Sequence, residues 1–296
     1  MTQQEQPAGI VSWDEPSGLN PRGTVIVLPG RGERPEVYER FGRRLSADAY
    51  RVRAVASPAE DPVLAEEQVR SLLDGPGPVV LAGSDTGALF AVALAASGRL
   101  PEAAALVLAG LPAGPDAGES RARAEGRAPA PGLRREGATK ERTSDEGGGR
   151  GPERPEASAG NGARADGRAP AYDPWQAELE ARTACPTHRG KLAGEVLRRG
   201  ALYEPVPEGW IEQAALKAVA VPVLGIHGAA DPVSPLAAAR EKYAAAPHAE
   251  LVSITDGRHD AFNDITHRTA AAVIVLFLER LRNGAGLAPI AVSEPL

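Results

Sequence analysis

The chain has 296 residues, 43% hydrophobic and 24% charged, with a formal net charge of −6. That length supports one large α/β domain or two small ones, and the acidic balance excludes a basic nucleic-acid footprint. A single cysteine, Cys185, excludes an internal disulfide and a cysteine-rich zinc site.

In chain order, the N-terminus MTQQEQPAG lacks a basic start and an apolar stretch, so no signal peptide is expected. Residues 24–28 (TVIVL) read as a strand ended by Pro29-Gly30, and 35–46 as a helix carrying Val37, Phe41 and Leu45. A strand is predicted at 51–56, a helix at 63–73, a strand at 79–82, a helix at 88–97 and a strand at 104–109. Strands alternating with helices of about ten residues imply βαβ units and a parallel sheet. Their nearly all-apolar character predicts helices on both faces.

The composition then changes. Between residues 114 and 170 the only large aliphatic side chain is Leu133. Such a segment cannot bury enough apolar surface to offset its ordering entropy, so it is expected to be a disordered insertion. Residues 171–210 form a small helical cap in this reading, with helices at 175–182 and 192–199. The alternation resumes with a strand at 221–226, a helix opened by Ser234-Pro235, a strand at 249–254 and a closing helix at 266–282. The core is thus residues 1–113 and 211–296, an α/β, doubly wound, mostly parallel sheet. The longest apolar run, 270–278, is too short to span a bilayer. A cytoplasmic protein without membrane insertion is expected.

Polar exceptions cluster where these strands end, which is where an open parallel sheet binds ligands. They are PGRGE (29–33), GSDTG (83–87), HGAADPVSP (227–235) and DGRHDAFND (256–264). Gly83 and Gly87 have the spacing of a strand–turn–helix elbow that presents a nucleophile, with Asp85 at its centre and Ser84 one place early. The chain order is then nucleophile position, acid (Asp231), histidine (His259). In this reading His259 reaches both Asp85 and Asp231, and Asp231 fixes the imidazole tautomer. Backbone N–H groups of Arg31 and Thr86 would form an oxyanion or leaving-group site.

These ordered motifs resemble the α/β-hydrolase fold. LPGRGERPEVYERFGRRLSADAYRV, VPVLGIHGAADPVSP and GRHDAFND resemble the oxyanion, acid and histidine loops of its monoacylglycerol-lipase/lysophospholipase branch, with Pro29 where a histidine usually stands. The aspartate at the elbow instead resembles haloalkane dehalogenases and epoxide hydrolases. That resemblance implies displacement at carbon: Asp85 forms an alkyl-enzyme ester, which water cleaves with His259 as base. Two departures stand out. Thr86 occupies the place where those aspartate families commonly carry a tryptophan. The cap offers only Tyr172 and Tyr203 to match the paired tyrosines of epoxide hydrolases, and cap or rim packing is the better account of both.

The sequence leaves three functions open: a hydrolase of a small or lipophilic substrate with Asp85 as nucleophile, an ester hydrolase of the lysophospholipase-like type, and a non-hydrolytic lyase-like or ligand-binding relative. Ser84, Tyr172, Cys185, His188 and Tyr203 are candidates for lining the substrate pocket. Arg31 and Glu33 read either as substrate contacts or as a surface pair. Asp256, Asp260 and Asp264 read as loop caps, His227 as structural, and His248 and His267 as surface residues. A small-molecule substrate is implied, with no metal and no organic cofactor.

Overall fold

The computed structural model describes residues 9–112, 114, 173–194, 196–292 and 294. The insertion expected at 114–170 therefore lies, but for residue 114, outside the described residues. Five of the seven strands lie close to the ranges read from the sequence. They are β2 (Gly23–Leu28), β3 (Tyr50–Ala54), β4 (Val79–Ser84), β5 (Ala103–Ala109) and β7 (Ala249–Ile254). A sixth, β6 (Val223–Gly228), starts two residues later than read. β1 (Val11–Trp13) went unread; three residues carry no period, and this edge strand exists only by pairing antiparallel with β3.

The sheet order is β1-β3-β2-β4-β5-β6-β7, and every pair except β1–β3 is parallel. The chain moves from β2 outward to β3, then returns to place β4 on the other side of β2. The β2/β4 boundary is therefore a topological switch point, with a crevice at its carboxyl edge.

Alternating strand residues feed two cores. Val25, Val27, Val80, Val107 and Ile226 face α1 (Glu39–Ala47) and α8 (His267–Arg282), which contribute Phe41, Leu45, Ile274 and Phe277. Ile26, Leu28, Leu81, Leu106 and Leu108 face α2 (Pro62–Ser71), α3 (Thr86–Ala96) and α7 (Leu236–Ala244), through Val69, Leu89, Leu94 and Tyr243. Both faces are covered, as nearly continuous apolar strands require.

The segment between β5 and β6 contains α4 (Pro174–Arg182), α5 (Pro186–Leu192) and α6 (Trp210–Gln213). The helix read at 192–199 is wrong: the helix here is α5, which ends at Leu192. Pro186 begins it at the first-turn position, where the missing N–H costs nothing. Ser234 is also not a helix cap. Its hydroxyl donates to the Leu111 carbonyl at 2.6 Å, and α7 begins after Pro235. Among the described residues no helix is long and apolar enough to cross a membrane.

Candidate active site

Asp85 joins β4 to α3 with φ +52° and ψ −122°. A non-glycine residue at positive φ is strained, and the surroundings must hold it there. Its N–H extends the ladder to the Ala109 carbonyl at 3.0 Å, while its own carbonyl accepts from Ala88 N at 3.0 Å in the first turn of α3. The flanking glycines are steric requirements. A Cβ on Gly87 would lie 2.1 Å from the Leu28 carbonyl oxygen, and one on Gly83 would lie 2.5 Å from Ala88 Cα. The turn is thus clamped between β2 and its own helix, and the Asp85 side chain emerges at the switch point.

His259 and Asp231 arrive from the loops after β7 and β6. His259 Nδ1 lies 2.8 Å from Asp231 Oδ2, while Asp231 Oδ1 accepts from Val233 N at 2.8 Å and Ser234 N at 3.0 Å. These backbone donors fix the carboxylate, which in turn orients the ring so that Nδ1 carries a proton. His259 Nε2 then faces Asp85 Oδ1 at 3.4 Å, within ion-pair range but without a well-aligned hydrogen bond. Gly110 makes room for this histidine: at φ +53°, a Cβ there would meet the His259 carbonyl oxygen at 2.7 Å and Cε1 at 3.0 Å. His227 donates from Nε2 to the Ser234 carbonyl at 2.7 Å, and burial lowers its pKa, in keeping with a structural role.

Arg31 is the main surprise. Its backbone N–H donates to Asp85 Oδ2 at 2.9 Å. Its side chain turns inward as well. Nε donates to Oδ2 at 2.8 Å, Nη2 to Oδ1 at 2.8 Å, and Nη1 to the Glu204 carbonyl at 2.6 Å. The guanidinium covers both oxygens of the elbow carboxylate, and the two side chains are only 6% and 1% exposed. The surface-pair reading of Arg31 and Glu33 fails, because both residues are buried, Arg31 against Asp85 and Glu33 against Arg182.

The charges are mutually supporting. Burial alone would raise the Asp85 carboxyl, but the Arg31 guanidinium and His259 hold it well below the usual carboxylate range. Burial alone would lower His259, yet Asp231 and Asp85 push it up to about 10. In space the site alternates basic and acidic groups: the Arg31 guanidinium, the Asp85 carboxyl, the His259 ring and the Asp231 carboxyl. Thr86 opens α3, so its N–H is one of the first-turn amides that lack a helical acceptor.

A buried polar network, absent from the sequence reading, backs the loop after β2, residues 29–33. Glu33 accepts from Gly30 N at 3.0 Å and from the Tyr38 hydroxyl at 2.6 Å. Arg182, at the end of α4, donates to Glu33 Oε1, the Arg31 carbonyl and Glu178 Oε1, each at 2.9 Å. Burial, working against Arg182, leaves the Glu33 carboxyl raised. The signal in the sequence was Glu178 and Arg182 four apart on one helix face, which reads equally as an exposed surface pair.

The remaining lining candidates among the described residues have partners of their own. Tyr172 is outside the described residues. Tyr203 lines a cavity of about 480 Å³ with Trp175 and Arg199. Cys185 is buried with its Sγ 3.2 Å from Arg40 Nη1, and His188 Nε2 meets Asp260 Oδ2 at 3.0 Å; both join α5 to the core. Ser84 is buried beside the Tyr38 hydroxyl. Asp264 accepts from Ala184 N at 2.7 Å and Arg258 N at 2.7 Å, acting as a loop cap. Among the described residues no three His, Cys, Asp or Glu side chains are grouped to hold a metal ion.

A mostly parallel sheet with an elbow after β4, an acid after β6 and a histidine after β7 defines the α/β-hydrolase class. The sequence matches the model of the alpha/beta hydrolase family over residues 12–272, and the chain belongs to that family as a hydrolase of the superfamily. Among solved structures, it is similar to a soluble variant of monoglyceride lipase from Saccharomyces cerevisiae bound to a substrate analog. The two share 15% identity over 92% of this chain and 91% of that one, with a TM-score of 0.61. A monoacylglycerol lipase from Paleococcus ferrophilus (17% identity, 91% and 97% coverage, TM-score 0.59) and esterase RhEst1 from Rhodococcus sp. (19%, 91% and 94%, 0.58) share the fold. No curated protein matches the sequence.

Proposed function

We propose that this hydrolase uses Asp85 as a carbon-attacking nucleophile, His259 as base and Asp231 as the group that orients His259. The observation that carries the reading is the division of labour between the Asp85 oxygens. Oδ1 faces His259 Nε2, whereas Oδ2 receives the Arg31 backbone N–H.

In the first step Oδ1 bonds to a substrate carbon as the carbon–leaving-group bond breaks and its electron pair departs with the leaving group. An ionised carboxylate needs no base for this. Asp85 is then a neutral ester, and one of the two anions raising His259 has gone. The imidazolium falls toward its ordinary range, gives its Nε2 proton to the departing group or to solvent, and as neutral imidazole can deprotonate water. Hydroxide adds to the Asp85 carboxyl carbon, and negative charge develops on Oδ2, where the Arg31 amide already points. Collapse releases the product alkoxide, which takes the proton from His259, and the Asp85 carboxylic acid left behind passes its proton to His259 Nε2, restoring the resting pair. The product oxygen therefore comes from Asp85.

The test is incubation of the His259→Gln variant with a panel of epoxides and organic halides, followed by intact-mass and peptide analysis. An adduct on the Asp85 peptide supports the reading, as does ¹⁸O from labelled water entering Asp85 during wild-type turnover. Label passing directly into the first-turnover product excludes the covalent route. A second reading, a ligand-binding or lyase-like relative, is favoured by the Arg31 clamp, since a carboxylate held through both oxygens is a weak nucleophile. It predicts neither adduct nor label across the panel. The ester-hydrolase reading through Ser84 has less support, because Ser84 sits beside Tyr38 and His259 faces Asp85.

A further inference from the structure

The Arg31 side chain is unexplained by an oxyanion role, which needs only its backbone. Its guanidinium occupies the approach to both Asp85 oxygens, and its third nitrogen is tied to the Glu204 carbonyl of the helical segment above. The one ion pair it makes among the described residues is with Asp85. A substrate carbon approaching Oδ1 competes with the guanidinium for that oxygen.

We propose that Arg31 is the anion-recognition residue of this site, and that the substrate carries a carboxylate which takes the guanidinium from Asp85. This deepens the reading of Asp85 as nucleophile and rests on it. Attack turns Asp85 into a neutral ester and leaves Arg31, 5% exposed, without its counterion. A buried guanidinium stripped of its partner is strongly unfavourable, so the reaction must supply another anion. The planar fork now donating two parallel hydrogen bonds to Asp85 matches a second carboxylate in the same bidentate manner. A departing halide is a single-point acceptor and cannot satisfy both donors. The Nη1 bond to the Glu204 carbonyl gives a fixed point about which the head can turn from one carboxylate to the other. A neutral substrate offers nothing in exchange for opening the pair. The substrate class is therefore a small organic acid bearing its leaving group or epoxide near the carboxylate.

The Asp85→Asn variant imitates the ester state, neutral and of the same shape. Calorimetric and thermal-melting titrations at constant ionic strength compare sodium acetate, formate and bromide. Acetate is expected to bind Asp85→Asn at least tenfold tighter than wild type and to raise its melting temperature. Adding Arg31→Leu in the same variant is expected to abolish that binding. Asp85→Gly, suited to the positive φ, serves as a second background for the same titration. The proposal is overturned if acetate ignores both variants, if binding survives Arg31→Leu, or if bromide binds as tightly as acetate. Acetate binding without label in Asp85 keeps the anion site and removes the nucleophile; label without acetate binding sinks the anion site.

Discussion

Replacing Arg182 by methionine isolates the buried network behind the loop after β2. Arg182 is 1% exposed and donates four hydrogen bonds, two to Glu178, one to Glu33 and one to the Arg31 carbonyl. Methionine fills much of the volume, so the loss is chiefly electrostatic. Two carboxylates with 2% and 1% exposed side chains lose their cation. Breaking such a pair from one side costs about 3–5 kcal/mol. Glu33 keeps its Gly30 and Tyr38 donors and Glu178 keeps Leu202 N at 3.2 Å, which places the cost toward the lower end. For a chain of this size that corresponds to a melting temperature lower by roughly 10 °C.

The deficit must also depend on pH. Without Arg182, burial raises the Glu33 carboxyl further above its unfolded value, so the folded state binds the extra proton. A raised carboxyl leaves stability intact below the unfolded pKa and removes it as pH rises toward the folded one. Urea unfolding of Arg182→Met is therefore expected to show a smaller deficit at pH 5 than at pH 8, and Glu33→Gln in the same chain should recover part of it. A loss under about 1 kcal/mol, or one that is flat with pH, refutes the reasoning, since it lies far below the cost of an unpaired buried charge.

Further outcomes follow from the site geometry. His259, raised to about 10, should give an imidazolium spectrum at pH 8 by ¹⁵N NMR, and Asp85→Asn should lower its titration by more than one unit; a wild-type midpoint near 6.5 contradicts the charge alternation. By linkage, the stability His259 contributes is complete below its unfolded pKa and fades as pH rises toward 10, so its removal should flatten the alkaline limb of the stability profile. Asp85, held low, contributes above its unfolded pKa and loses that contribution as acid protonates it. Gly87→Ala should lose more than about 3 kcal/mol or fail to fold, because the added carbon meets backbone and not a flexible side chain. For any substrate turned over, Asp231→Asn should lower kcat by about 10³–10⁴ with little change in KM, through the wrong histidine tautomer.

Much of the fold was legible because its signals are local. Apolar runs such as TVIVL and VVLA, ended by glycine or proline and too short for helices, read as buried strands, and their alternation with short helices leaves few topologies. The elbow was legible for the same reason: Gly83 and Gly87 report a backbone demand that no other residue meets. Asp85, Asp231 and His259 could be placed at strand ends by counting along the chain, and the structure brings them within ion-pair distance of one another in sequence.

What escaped was whatever depends on a partner distant in sequence. β1 is a strand only because β3 lies beside it, and α5 begins where Pro186 permits, not where aliphatic spacing suggested. Glu33, Glu178 and Arg182 look like surface charges until the fold removes water from all three together. Arg31 is the sharpest case. Its place after β2 put its backbone N–H beside the elbow, but nothing local states where a long, freely rotating side chain will point. Only the packing of β2 beside β4, with the Glu204 carbonyl above, turns that guanidinium onto Asp85. The sequence thus determined the frame and the chemical identity of the groups at its edge, because backbone geometry and burial are encoded residue by residue. The tertiary structure alone decided which charges meet, because the strength of an ion pair depends on distance and on the water excluded around it.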